Sequence, residues 1–324
     1  MLQKAIKQAD RLVRQAYNEC IEQGLLPYKA EPKGSIALTK DVSLGDLACP
    51  YAIAYGKHFK LEPYDVARTI CLRLSLDDSY FHSAEPALNG FINLRFSDKW
   101  YAAVLAQIDG TGGGFKITIE ARGDKAHIFF NANNGIREEG AGPALIKSVR
   151  LVRNKEPVKQ TDLELSRILE GVAGDSARFY LLLNSDTQLE LDVDVIRRSD
   201  GGNKLYYIIY AHKRITSLIK SKMAAACIMP ANIAAILLST DLEKALIRQL
   251  ALFNDEACLA ERELDPTRLC RYLNELASGF YSYYKAVKLR AANDDLIAAR
   301  YRLLYSIKTV IEKGLDILGI AVIA

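Results

Sequence analysis

The sequence predicts a mixed fold: a small α+β domain over the first hundred residues, a short β-rich piece in the middle, and an all-helical bundle at the C-terminus. Three observations predict it. Residues 1–23 carry Leu2, Ala5, Ile6, Ala9, Leu12, Val13, Ala16, Tyr17, Cys20 and Ile21 at three- and four-residue spacing, which is one face of a helix. Residues 115–153 hold short strand-like runs parted by turn residues, and from Leu163 onward almost every stretch has the helical period. The boundaries that follow are 1–108, 109–160 and 161–324.

In chain order, the first helix stops at Gly24 and Pro27. A second helix is expected over 47–58. A third opens at Pro63, where the missing N–H costs nothing, and continues to Leu74. Residues 90–96 alternate as a strand, and 109–114 (Asp-Gly-Thr-Gly-Gly-Gly) read as a flexible linker. The runs 115–120, 127–131 and 147–153 are separated by the turn-rich 131–135 and 140–143. They are too short for a doubly wound sheet and predict a three-stranded patch packed on a neighbour. Helices follow over 164–171, 175–184, 204–222, 233–238, 242–253, 266–289 and 294–318, most with Gly, Pro, Asn or Asp at their ends. Residues 188–195 alternate as a short extended segment. Short turns between so many helices predict a bundle.

Composition excludes several classes of function. Half of the 324 residues are apolar and a quarter are charged, which is globular rather than disordered. The formal net charge, 43 − 39 = +4, tolerates an acidic partner without demanding one. No apolar run approaches the roughly 18 residues of a spanning helix, and the charged first twenty residues hold no signal-peptide core, so no membrane and a cytoplasmic location are expected. Cys20, Cys49, Cys71, Cys227, Cys258 and Cys270 are scattered without a Cys-x-x-Cys, the pattern of reduced thiols. His58, His82, His127 and His212 lie far apart in sequence, and His212, mid-helix, reads as a histidine held by a helix neighbour. Gly112, Gly113 and Gly114 lack the lysine and preceding strand of a phosphate loop. Glu190, Asp192 and Asp194 alternate on one face of an extended run, as at a blunted sheet edge. No catalytic residue, metal site or cofactor is expected.

Aromatic and basic residues interleave on two helices. One stretch carries Tyr206, Tyr207, Tyr210, His212, Lys213 and Arg214; the other carries Arg271, Tyr272, Phe280, Tyr281, Tyr283, Tyr284, Lys285, Lys288 and Arg290. Unpaired RNA bases stack on such rings while Lys and Arg neutralise phosphates. Leu269, Leu273, Leu276, Phe280, Tyr284 and Val287 share one helical face, so Phe280 and Tyr284 are expected in the core. Tyr281 falls off that stripe and is the better stacking candidate.

At this point the residues resemble a known family. Tyr272, Glu275, Ala277, Phe280 and Tyr284, followed by Ala299-Arg300 and by Gly314-Leu315-Asp316 with Leu318-Gly319-Ile320, resemble the DALR anticodon-binding domain of arginyl-tRNA synthetases. Tyr207, Tyr210, Ala211, His212, Arg214 and Ile215 are similar to that family's Tyr-x-Gln-Tyr-Ala-His-Ala-Arg-Ile helix, and Asp175, Ala177, Arg178 and Phe179 to its Asp-Ala-Ala-Arg-Phe segment. Gly45-Asp46-Leu47-Ala48 and Gly90-Phe91-Ile92-Asn93 look like pieces of the family's N-terminal domain, which contacts the tRNA elbow.

The departures shape what the resemblance implies. In the family a Rossmann catalytic domain, with a His-x-Gly-His signature and a Lys-Met-Ser-Lys-type loop, lies between the two ends. Here only about 80 residues separate Phe96 from Asp175, and no His-x-Gly-His occurs. Residues 150–159 look like the lead-in to the Lys-Met-Ser-Lys loop, but Lys159 runs directly into Gln160-Thr161-Asp162. His127-Ile128-Phe129-Phe130 would be a last strand of a reduced catalytic sheet. Adenylate formation needs positioned ATP and preorganised positive donors, so a chain with no activity of its own is implied. Tyr281 stands where the family usually has Asn, and Ile209 where it often has Gln. The resemblance implies tRNA as partner, with arginine isoacceptors the first to test. Asn93 would face the elbow; Tyr210, Lys213, Arg214, Arg271, Tyr281, Tyr284, Lys285 and Lys288 would face the anticodon stem–loop. The alternative is an adaptor or subunit that presents tRNA to an enzyme or complements a separate catalytic domain. Its protein partner, or a second copy, would cover apolar surface on the strands of 116–153.

Overall fold

The computed structural model describes residues 1–27, 34–39, 41–108, 114–132, 144–153, 156–158, 164–220, 229–289 and 293–321. The expected linker at 109–113, the turns at 133–143, the Lys159–Gln160 junction and Cys227 lie outside the described residues. By its internal contacts the chain divides into two compact units, Met1–Val104 and Leu105–Ala324.

The first unit begins with α1 (Leu2–Glu22), which buries Leu2, Ala5, Ala9, Val13, Ala16, Tyr17 and Cys20. An antiparallel sheet follows in the order β1 (Ala37–Leu38), β2 (Leu47–Cys49), β4 (Ile92–Phe96), β3 (Phe81–Pro86). Between strands lie α2 (Tyr51–Phe59) and α3 (Pro63–Cys71), and α4 (Asp98–Gln107) leaves the sheet after Phe96. The helix expected over 47–58 is thus a strand and a helix divided at Pro50, whose ring rules out a helical residue before it. The core is aromatic: the Phe96 and Trp100 rings stack at 3.7 Å and Tyr17 stacks on Tyr55 at 3.9 Å.

The two N-terminal sequence motifs meet in this sheet. Ala48 pairs with Asn93 in register, and the buried Asp46 carboxylate accepts the Phe96 N–H at 2.8 Å. Gly45, at φ +144°, lies where a Cβ would come within 3.1 Å of the Asn93 Cβ, so the close approach of the two motifs requires glycine. Gly90, at φ +87°, is under the same constraint: a Cβ there would lie 2.4 Å from the Cβ of Pro63.

The second unit joins a sheet to helices. β5 (Phe115–Arg122), β6 (Lys125–Ala132), β7 (Leu145–Arg153) and β8 (Glu156–Pro157) form an antiparallel series, and β9 (Gln188–Asp192) adds parallel to β7. The expected three-stranded patch therefore has five strands. One of the added strands is the extended segment expected at 188–195; its place in the sheet could not be read locally, because Ser148 pairs with Gln188 across a long connection. Phe115, Ile117, Ile119, Ala126 and Ile128 are buried, and the only large apolar side chain exposed among the described residues of 116–153 is Ile146. Phe130, Leu145 and Leu151 are half-buried beside it. Of the acidic cluster, Glu190 and Asp194 stand 3.7 Å from Arg150 and Arg153, and Asp192 accepts the N–H groups of Asp194 and Val195.

The helices are α5 (Leu165–Glu170), α6 (Gly174–Leu183), α7 (Lys204–Ile219), α8 (Ala231–Leu237), α9 (Asp241–Arg262), α10 (Thr267–Ala286) and α11 (Asp294–Ile317). α11 packs on α7, α8, α9 and α10. Within the same unit it also holds residues 105–108, where Arg302 donates to the Leu105 carbonyl and Lys313 to that of Ile108. A buried polar knot locks α9, α10 and α11 together. Glu243 is 0 % exposed; one carboxylate oxygen accepts from the Thr240 N–H and hydroxyl, closing a capping box at the start of α9. Its other oxygen accepts from Tyr283 Oη at 3.2 Å and Arg300 Nε at 3.0 Å.

Candidate nucleic-acid interface

α7 starts where Asn203 caps it: the side-chain oxygen accepts the N–H groups of Leu205 and Tyr206, while its amide donates to Ser176 Oγ and to the carbonyls of Ile196 and Arg198. With that end fixed, Leu205, Ile208, Ala211, His212, Ile215 and Ile219 turn into the bundle. His212 Nε2 lies 2.9 Å from Glu312 Oε1 on α11. Burial works against the Glu312 carboxylate, but hydrogen bonds from Lys308 and His212 outweigh it and hold the group below the usual carboxylate range.

On α10 the buried positions are Thr267, Leu269, Cys270, Tyr272, Leu273, Leu276, Ala277, Phe280 and Tyr283. Tyr283, not Tyr284, therefore enters the core. After Phe280 the stripe advances by three residues rather than four, because the Tyr283 hydroxyl finds Glu243 there. Tyr284 turns instead toward α7, where the Arg214 guanidinium stands 5.0 Å over its ring and donates to its hydroxyl.

The two helices together build a row of rings. Tyr206 and Tyr210 stack at 6.2 Å, Tyr210 and Tyr281 at 6.3 Å, and Phe280 and Tyr284 at 5.8 Å. Tyr207 packs against Tyr281 at 4.6 Å, and the Tyr281 hydroxyl donates to the Tyr207 carbonyl at 3.3 Å. Burial, reinforced by the neighbouring tyrosines, pushes the Tyr281 phenol well above its usual range, so it stays a neutral donor. Tyr210 is 50 % exposed, and its outward surface is open to a stacked base.

Of the residues the sequence singled out, Tyr210, Arg214, Tyr281 and Tyr284 meet in this row. Lys213 and Lys285 are exposed beside it, next to Arg214 and one turn beyond Tyr281. Arg271 is exposed on α10 but ten residues before Tyr281, about 15 Å along the axis. Lys288 lies beyond the end of α10, exposed, with its carbonyl accepting from Arg300. Asn93 sits in the sheet of the first unit with only 8 % of its surface exposed. A basic stripe also lies on α1, where Lys4, Lys7 and Arg11 are exposed at i, i+3 and i+7, a spacing that marks one helical face in the sequence. Among the described residues no cluster of His, Cys, Asp and Glu could hold a metal ion, and no helix is long and apolar enough to cross a membrane.

Two family matches bear on these surfaces. Residues 2–96 match the arginyl tRNA synthetase N terminal domain, and residues 208–324, which include the Tyr210–Tyr281–Tyr284 row, match the DALR anticodon binding domain. The chain carries both of these domains. Curated relatives agree. The arginine–tRNA ligase of Caldanaerobacter subterraneus subsp. tengcongensis is 31 % identical over 195 residues, 57 % of this chain and 34 % of the relative. That of Carboxydothermus hydrogenoformans is 27 % identical over 325 aligned residues, 90 % of this chain and 58 % of the relative. The chain thus spans between about a third and three-fifths of the length of the ligases it matches. The fold is similar to that of solved arginyl-tRNA synthetases from Plasmodium falciparum (TM-score 0.64, 10 % identity, 98 % of each chain covered) and Thermus thermophilus (TM-score 0.56, 12 % identity, 98 % of this chain and 99 % of that one). Neither domain match reaches residues 97–207, where the sheet of β5 to β9 lies.

Proposed function

We propose that this chain binds tRNA and does not itself aminoacylate it. The observation that carries the reading is the row of tyrosines on α7 and α10, flanked by Lys213, Arg214 and Lys285, inside the DALR domain. Exposed rings hold unpaired bases by stacking, and the flanking cations neutralise the phosphates between them. The row would hold the anticodon stem–loop and the N-terminal domain the elbow, with 109–160 as a reduced connector between the two. The connector supports the absence of catalysis. An ATP-activating Rossmann body is a parallel sheet wound with helices on both faces, whereas here β5 to β8 are antiparallel with no helix among their described residues and β9 alone pairs in parallel. The sequence also offers no His-x-Gly-His to hold ATP.

A gel-shift titration with tRNA is the first test. Complex is expected in the nanomolar to micromolar range at about 50 mM salt, with affinity falling at least tenfold by about 200 mM as counterions are released. No complex at the lower salt would overturn the reading. Arginine-dependent ATP–pyrophosphate exchange by the pure chain would overturn its second half.

A further inference from the structure

Arg167 on α5 and Arg197 and Arg198 in the turn after β9 line one cleft of about 570 Å³, which α7 closes with Tyr206 and Ile209. Its size lies within the range of small-ligand sites. The charge in it is one-sided: no Asp or Glu is among its described lining residues. Arg198 is engaged by Asp200 at 3.1 Å on the rim and Arg167 faces Glu164 at a loose 3.9 Å, while no acid pairs with Arg197 among the described residues. Behind the cations the walls are apolar, with Ile196 and Val193 buried and Val172 fully exposed. Tyr206 belongs to both places, lining the cleft and stacking on Tyr210. The cleft therefore continues the row of rings at the N-terminal end of α7.

We propose that this cleft is a nucleotide subsite, taking the phosphate of a 5′-nucleotide on the three arginines and its base against Tyr206 and Ile209. Guanidinium groups bind phosphate oxygens through paired charge-assisted hydrogen bonds, and a ring beside an aliphatic wall accepts any base by its face. The source of the nucleotide rests on the tRNA reading above: an unpaired residue of the bound RNA, one step along the strand from the base on Tyr210.

The test compares the full chain with its Arg197→Ala/Arg198→Ala variant, using a labelled stem–loop RNA, a blunt duplex of the same stem, and adenosine 5′-monophosphate. Both arginines are exposed in a turn, and the Arg198 carbonyl that holds Asn203 is kept, so the variant should melt as the parent does. Stem–loop affinity is expected to fall about tenfold or more, the cost of losing charged hydrogen bonds, with duplex binding within twofold. If the parent binds the stem–loop and the variant binds it equally, or if duplex and stem–loop weaken alike, the subsite is wrong while the tRNA reading stands. If the parent binds neither RNA but binds the free nucleotide and the variant does not, the cleft is a free-nucleotide site and the tRNA reading fails. If the parent binds neither RNA nor nucleotide, both fall.

Discussion

Replacing Glu243 with alanine should lower the stability of the Leu105–Ala324 unit by about 3–5 kcal/mol, the largest loss expected of any single substitution discussed. The side chain makes two kinds of contact at once. Toward Thr240 it closes the capping box of α9, worth about 1 kcal/mol as a cap. Toward α10 and α11 it is the acceptor for Tyr283 and the counter-charge for Arg300, whose side chain is nearly as buried as its own. Removing the carboxylate leaves a guanidinium and a phenol in the interior without their acceptor, and the penalty of that orphaned charge dominates. For a unit of this size the loss corresponds to a melting point lower by roughly 6–20 °C, read from thermal unfolding by circular dichroism. Glu243→Gln, which keeps a hydrogen-bonding group without the charge, should fall between. Adding Arg300→Leu to Glu243→Ala should recover part of the loss, because the uncompensated charge goes with it. A drop below about 1 kcal/mol, as for an exposed pair, would mean that the knot does not hold the three helices.

The second large effect is on binding. Tyr210→Ala should weaken stem–loop or tRNA affinity by about 5- to 150-fold, the 1–3 kcal/mol of one base–ring stack, with only a small drop in melting point because the half-exposed ring gives up only its packing on Tyr206 and Tyr281. Tyr210→Phe keeps the face of the ring and should bind as the parent does. Lys213→Ala, by contrast, should lower affinity modestly for any RNA and reduce the slope of log affinity against log salt by about one. Fluorescence anisotropy at several salt concentrations separates the two signatures. Equal binding by Tyr210→Ala and the parent would remove the ring row from the interface.

How far the sequence could be read depended on whether a feature was local. The period of α1, α7, α10 and α11 was plain because each has a continuous apolar stripe against a polar face. β3 was missed because Phe81-His82-Ser83-Ala84-Glu85-Pro86 contains little that reads as a strand; it is one because β4 pairs along it. α4 was missed after the strand that precedes it, and the 47–58 segment hid a strand in front of Pro50. At the interface, Tyr210 and Arg214 were legible as an interleaved basic and aromatic helix. Tyr281 was legible because it falls off the apolar stripe, whereas Tyr284 reads equally as core, since a one-residue choice after Phe280 decides which tyrosine is buried. Arg167, Arg197 and Arg198 carried no local signal, being brought to one cleft by the packing of α5 and α7 around the turn after β9.

The central claim is that two tRNA-handling domains persist here around a connector that activates no amino acid. Sequencing the RNA that stays with the full chain through purification at low salt tests it most directly. Transfer RNA should dominate the retained fraction, greatly enriched over its share of the lysate and released as salt is raised. Retained RNA with no enrichment of tRNA, or a preparation free of RNA, would contradict the account.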